Sequence, residues 1–179
     1  QYTLNAMGRI AEVAETLDGE TITHTYTCDA NGWLTGVRRN GSTTVAQYEY
    51  DANGNRLQYT NEQDTVTTAD CDDQDRLLQY GDAEYAYTPH GELRSRTDSG
   101  LTTTFAYDVF GNLRSATMPN GTVIEYLVDG RDRRIGKKVN GASVQGFLYK
   151  DQLNPVAELD GANQVVSVFV YAHRSNVPA

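Results

Sequence analysis

The chain has 179 residues, a formal net charge of −9 and 39% hydrophobic residues. Such acidity argues against a nucleic-acid partner, which needs a basic face for the phosphates. No apolar run approaches the roughly 18 residues of a membrane helix, and the opening Gln1-Tyr2-Thr3-Leu4 shows neither the basic nor the apolar stretch of a signal peptide.

Tyrosine is over-used, with 12 copies against 4 Phe and 1 Trp. β-Branched and aromatic residues interrupted by Gly and Asn describe short strands and tight turns. No helical period is sustained over three turns, so the expected class is all-β.

One frame recurs along the chain: an aromatic at position 1, Asp at 4, Gly at 7, and Leu or Ile at 9 or 10. It first appears at Tyr2, with Asn5 for Asp, then in full as Tyr26-Thr27-Cys28-Asp29-Ala30-Asn31-Gly32-Trp33-Leu34. Tyr48, Tyr50, Asp51 and Gly54 make the third copy, which reads as having one extra residue before Leu57. A degraded copy runs from Ala69 through Cys71 and Asp72 to Leu77. Tyr85, Tyr87 and Gly91 make the fifth, and Phe105, Tyr107, Asp108 and Gly111 the sixth. Tyr126 and Asp129 belong to the seventh, Phe147 and Tyr149 to the eighth, and Phe169-Val170-Tyr171 opens a ninth. First positions are spaced by 24, 22, 21, 16, 20, 21, 21 and 22 residues, which chance does not produce.

Out of phase with the frames lie Asp18-Gly19, Asn40-Gly41, Asn120-Gly121, Asn140-Gly141 and Asp160-Gly161. Such pairs supply the positive φ of type I′ hairpin turns. Each repeat thus reads as strand, Asp-x-x-Gly turn, strand, Asn-Gly turn. The frame Asp accepts backbone N–H bonds across its turn, and Gly frees the left-handed position. Ten of the 12 tyrosines fall on positions 1 and 3, which share one strand face. Tyr26, Tyr48, Tyr50, Phe105, Tyr107 and Tyr126 are expected to be mostly buried, and Tyr59, outside the frame, to matter much less. Eight repeats imply about sixteen antiparallel strands at about 4.8 Å each. An open sheet of more than about ten strands curls, so a single array over 1–179 is expected to form a long, curved, spiralling strip.

Tyr48-Glu49-Tyr50-Asp51-Ala52-Asn53-Gly54-Asn55-Arg56-Leu57 resembles the YD-repeat motif of Rhs, wall-associated, Tc-toxin and teneurin proteins. The segment from Phe169 to Ala179 is similar to the stretch before the conserved core of bacterial Rhs proteins, which favours the bacterial branch. The resemblance implies a hollow β-shell, secreted or at the cell surface, that holds a C-terminal toxin or presents an adhesive surface. The partners it implies are the neighbouring repeats of the parent chain and its C-terminal effector.

No catalytic, cofactor-binding or metal-ligating residue is expected. Asp51-x-Asn53-x-Asn55 with Glu62 imitates an EF-hand loop, but Arg56 stands where that loop needs Gly, and repeat-turn chemistry is the better reading. His24, His90 and His173 lie in different repeats. Cys28 and Cys71 sit two repeats apart, too far for a disulfide, and are expected to be buried thiols. The run Asp70-Cys71-Asp72-Asp73-Gln74-Asp75 reads as a turn. A rival function is a carbohydrate-binding surface built from exposed Tyr and Trp33. Unpaired strand edges are expected near Tyr2 to Ile10 and at the uncharged, Pro-free Val165–Tyr171 stretch, and the latter is expected to pair with another chain.

Overall fold

Runs of Val, Thr, Tyr and Ile lie between turn residues throughout, and the chain becomes strands wherever they occur. The computed structural model describes residues 1–171, and these hold 17 strands and no helix. The chain divides into two compact units, Gln1–Glu84 and a second that begins at Tyr85. The first contains β1 (Tyr2–Leu4), β2 (Ile10–Leu17), β3 (Glu20–Cys28), β4 (Leu34–Arg39), β5 (Thr43–Tyr50), β6 (Arg56–Asn61), β7 (Val66–Cys71), β8 (Leu77–Tyr80) and the start of β9 (Ala83–Tyr87). The second contains β10 (Leu93–Asp98), β11 (Leu101–Tyr107), β12 (Leu113–Thr117), β13 (Val123–Val128), β14 (Arg134–Val139), β15 (Ala142–Tyr149), β16 (Pro155–Asp160) and β17 (Val165–Val168).

Within each unit every strand pairs antiparallel with the next one in the chain, as in Tyr26↔Val37, Val37↔Ala46 and Ala46↔Asn61. A regular irregularity accompanies the frame. The register slips between positions 2 and 3 at Thr3/Leu4, Thr27/Cys28, Glu49/Tyr50, Asp70/Cys71, Ala106/Tyr107, Leu127/Val128 and Leu148/Tyr149. Each slip is a bulge in the following strand, where the second residue (Thr35, Leu57, Leu78, Arg114, Ile135 or Val156 in the later copies) is the extra one. Position 10 therefore always has a place, and the repeats at Tyr48 and Tyr126 hold no inserted residue. Arg56 and Arg134 open their strands opposite Tyr50 and Val128, as Leu34 does opposite Cys28.

Three of the five expected type I′ turns form: Asp18-Gly19, Asn40-Gly41 and Asn140-Gly141 have positive φ at both residues. Ser99-Gly100 adds one that was not anticipated. Asn120-Gly121 departs from expectation, since only Gly121 has positive φ and the Met118 N–H reaches the Thr122 carbonyl at 2.8 Å. The cause is Pro119, whose fixed φ suits the second place of a type I turn with Gly at the fourth. Asp160-Gly161 departs too. The Asp160 carboxylate accepts the N–H groups of Ala162 and Gln164, and Asn163 takes the left-handed position at φ 61°.

Tyr26, Tyr48, Tyr50, Phe105, Tyr107 and Tyr126 are half-buried and none is fully enclosed, while Tyr2 of the first frame is exposed. Strands touch only their sheet neighbours within each unit, so a ring gains cover from its sides and not from a second layer. Among the described residues the buried positions are Ala46, Ala83, Ala116, Ala157 and Gly136, together with one polar side chain, Asn154. Cys28 and Cys71 are free and half-buried for the same reason.

Ala116, opposite both Phe105 and Ile124, has no room for a larger side chain. Its replacement by Leu should cost about 1–3 kcal/mol through overpacking. The same change at exposed Thr104 should stay within about 0.5 kcal/mol. Urea midpoints measured for the two variants decide, and equal losses would remove Ala116 from the core.

Candidate functional site

The functional unit of a repeat array is the contact that holds one repeat to the next, and it begins with the frame turn. In the third copy the Asp51 N–H bonds the Asn55 carbonyl at 3.0 Å, and the Asp51 carboxylate accepts the N–H groups of Asn53 and Asn55, each at 2.9 Å. Asn5, Asp72, Asp108 and Asp129 repeat the arrangement, each taking the N–H groups two and four residues ahead. Asp29 takes those of Gly32 and Trp33. In the fifth copy the Thr88 hydroxyl takes the Glu92 N–H. In the eighth copy Asp151, one place later, takes those of Leu153 and Asn154. The Asp51 carboxylate is thus committed to amide donors, as repeat-turn chemistry requires.

Position 7 is left-handed in seven copies: Gly8, Gly32, Gly54, Gly91 and Gly111 are joined by Asp75 at φ 60° and Asp132 at φ 58°. The two Asp replacements are not random. Asn55 in the preceding repeat donates its side-chain N–H to Asp75 at 2.7 Å, and Asn112 donates to Asp132 at 3.0 Å. At two of the copies that keep Gly at position 7, a larger group leans on it. Trp33 lies over Gly54, so a Cβ there would come within 2.9 Å of the indole, and the Arg9 guanidinium occupies the same place over Gly32. At these four junctions position 8 of one repeat therefore reaches position 7 of the next.

A second link comes from position 3. Tyr50 donates its hydroxyl to the Leu34 carbonyl at 2.8 Å, Tyr107 to Leu93 at 3.0 Å, Tyr149 to Arg134 at 3.0 Å and Tyr171 to Pro155 at 2.9 Å. Each acceptor opens the second strand of the preceding repeat. Burial raises the Tyr50 and Tyr107 phenols above their ordinary range. Tyr26, Tyr48, Tyr85, Phe105 and Tyr126 at position 1 are half-buried beside them.

The arginines at position 9 were not singled out by the frame. Arg134 stands 4.0 Å from the Tyr126 ring centre. Arg56 lies 5.8, 5.9 and 5.4 Å from the rings of Tyr48, Tyr59 and Tyr80. Tyr59, expected to matter little, is stacked on Tyr48 across the strand pair at 5.5 Å. Trp33 packs against Tyr50 at 5.5 Å, so its ring belongs to the inter-repeat contact.

The turn carboxylates are held acidic by their bonds. The Arg133 side chain, with the N–H groups of Arg131 and Arg133, holds Asp129 down to about 2 from 3.8. Asp51, Asp72 and Asp151 are lowered chiefly by Asn55, by Arg76 and by the Leu153 N–H respectively. A depressed folded-state value means that the unfolded chain binds more protons in acid. Stability is therefore complete above about pH 4 and falls as the pH drops towards 2. Asp129→Asn keeps the amide acceptor, as Asn5 does, and should flatten this loss in acid unfolding followed by circular dichroism. An unchanged acid limb would show that Asp129 is not among the groups responsible. Tyr107→Phe, which removes one inter-repeat hydrogen bond, should cost about 0.5–1.5 kcal/mol. Tyr107→Ala should cost about 2–3, below the usual figure for a fully enclosed ring. A Phe variant as stable as the parent in urea would strip the hydroxyl link of its role.

Comparison with known proteins agrees with this architecture. The teneurin YD-shell family model matches residues 1–179. Human Teneurin-1 is 30% identical over 149 residues, which is 82% of this chain and 5% of that protein. The tRNA nuclease WapA of Bacillus subtilis is 30% identical over 133 residues, 72% of this chain and 6% of that protein. The chain thus spans about a twentieth of the length of these relatives. Among solved structures, the TcdB2-TccC3-Cdc42 crystal structure matches with a TM-score of 0.64 at 16% identity, over 86% of this chain and 10% of that one. The TcdB2-TccC3 structure without its hypervariable C-terminal region matches with 0.62 at 17%, over 98% and 10%. With the family model matching its whole length, the chain belongs to the teneurin YD-shell family.

Proposed function

We propose that this chain is a stretch of shell wall, non-enzymatic in itself, from a large secreted or surface protein that encloses or displays a C-terminal toxin or effector. One observation carries the reading: the position-3 hydroxyl of one repeat bonds the strand carbonyl of the repeat before it, at Tyr50, Tyr107, Tyr149 and Tyr171. The chemistry that recurs from repeat to repeat goes into joining repeats, which is what a wall needs and a catalyst does not. The proteins it resembles include a tRNA nuclease of Bacillus subtilis and a structure named as a Photorhabdus luminescens Tc holotoxin pore, which favours a bacterial toxin-bearing parent. The frame Asp, Gly and Tyr residues, from Tyr26, Asp29 and Gly32 through Tyr149, are structural in this reading, and residues 1–179 form one array. A carbohydrate-binding surface is disfavoured because Trp33, the ring best suited to a sugar, is packed on Gly54 and Tyr50.

The parent protein tests the wall. Its C-terminal segment should resist added protease while the shell is intact. Resistance should fall when Tyr50, Tyr107 and Tyr149 are together replaced by Phe. Free digestion of that segment in the unaltered protein would sink the enclosure.

An open edge accompanies the wall. All four residues of β17 are exposed, with Val165, Val166 and Val168 more than half so, and β16 is its one recorded strand partner among the described residues. Free N–H and C=O groups on an uncharged strand invite pairing. The neighbouring repeat of the parent chain covers this edge in our reading, and the isolated chain should associate through it as concentration rises. Sedimentation of the isolated chain over a concentration series checks this, and a monomer throughout would refute it.

A further inference from the structure

Of the nine frames, the one at Ala69 alone has no aromatic at either position 1 or position 3, because Ala69 and Cys71 stand there. The two small side chains form the floor of an open notch of about 380 Å³. Tyr50 and Arg56 of the preceding repeat line it, as do Leu77 and Tyr80, and Asn55 and Asp75 complete it. Tyr80 stands directly across the strand pair from Ala69, and Arg56 is drawn to the Tyr80 ring and hydroxyl. The notch lies wholly within the first unit.

The rest of the array shows what this space accepts. At four other junctions a tyrosine from position 3 donates its hydroxyl to the carbonyl that opens the second strand of the preceding repeat. The equivalent carbonyl here belongs to Arg56, the first residue of β6. A cysteine at 71 has neither the ring to fill the gap nor the reach to make that bond. Cys28 and Val128 also replace a position-3 tyrosine, but Tyr26 and Tyr126 keep the position-1 ring beside them.

We infer that this notch takes up the phenol ring of a guest tyrosine carried on an extended peptide. The ring lies between Tyr50 and Tyr80 over Ala69 and Cys71, and its hydroxyl donates to the Arg56 carbonyl. The aromatic walls and the guanidinium edge suit a flat, electron-rich ring. The carbonyl distinguishes Tyr from Phe. With few atoms engaged in an open notch, the dissociation constant should be on the order of millimolar.

The test uses the whole chain, labelled with 15N and titrated with Ac-Gly-Tyr-Gly-NH2. Amide shifts should concentrate at Ala69, Cys71, Leu77 and Tyr80, and the matching Phe peptide should bind about 2–10-fold more weakly. In the same unaltered chain, the Tyr peptide should slow thiol labelling of Cys71 and leave Cys28 unchanged. Cys71→Tyr should fill the notch, abolish binding and raise the melting temperature. If that variant does not fold, protection of Cys71 still decides. No shift at about 20 mM peptide, where a millimolar site is saturated, overturns the site. Binding of 4-ethylphenol as tight as that of the peptide overturns the peptide as occupant. Equal labelling rates with and without peptide also overturn it.

Discussion

Within each unit the strands have neighbours to the side and none above, and this sets what can hold the chain together. A globular core encloses its large side chains, and hydrophobic burial then dominates its stability. Among the described residues only four alanines, one glycine and Asn154 are buried, while most of the rings lie half open on the sheet. Burial alone is then worth less per residue, and directional bonds between adjacent repeats gain in relative importance. The tyrosine hydroxyls, the Asn-to-Asp contacts and the stacked arginines all run across the strands, in the direction along which a single-layer sheet can come apart. Each repeat leans on its neighbours, as in other repeat arrays, so local losses should remain local.

The frame turn shows how one small site serves two purposes. Its Asp satisfies amide donors that a five-residue turn would leave bare. Its left-handed position brings the backbone close to the preceding repeat. Glycine there admits the Trp33 ring at Gly54. Aspartate there costs backbone strain, and the amides of Asn55 and Asn112 offset it at Asp75 and Asp132. At four junctions positions 7 and 8 of successive repeats are therefore matched: a bulky group faces Gly32 and Gly54, and an amide donor faces Asp75 and Asp132. That coupling is spaced by about one repeat and escapes a reading that compares copies column by column.

Much of the fold was legible because its signals are local. The frame, the antiparallel hairpins and the role of Asp29, Asp51, Asp108 and Asp129 follow from turn chemistry that a few consecutive residues decide. What escaped depends on neighbours. Asn120-Gly121 looks like a type I′ pair until Pro119 is weighed, and Asp160-Gly161 until the Asp160 side chain is allowed to cap a longer turn. The bulge after position 9 is a matter of register between strands, so Arg56 looked like an insertion when it is an ordinary strand opening. Burial of the rings was overestimated because positions 1 and 3 do share a face, but nothing in the amphipathic pattern says whether that face is covered. Tyr59 was discounted for lying outside the frame, although its place opposite Tyr48 is fixed by register alone.

The degraded repeat shows which parts of the frame a junction can lose. At Ala69 both rings are gone, yet the turn is complete: Asp72 accepts the Gln74 and Arg76 N–H groups, Arg76 pairs with the Asp72 carboxylate, and Asp75 holds the left-handed position with two amide donors from Asn53 and Asn55. Backbone donors left unsatisfied near a strand end have no alternative partner except water, whereas a missing ring on an open face exposes area that was half exposed in any case. The turn is thus the stricter requirement and the aromatic pair the more replaceable one. A shell built this way can give up a ring and stay joined through its turns, and the space that opens keeps the shape of the residue that is missing.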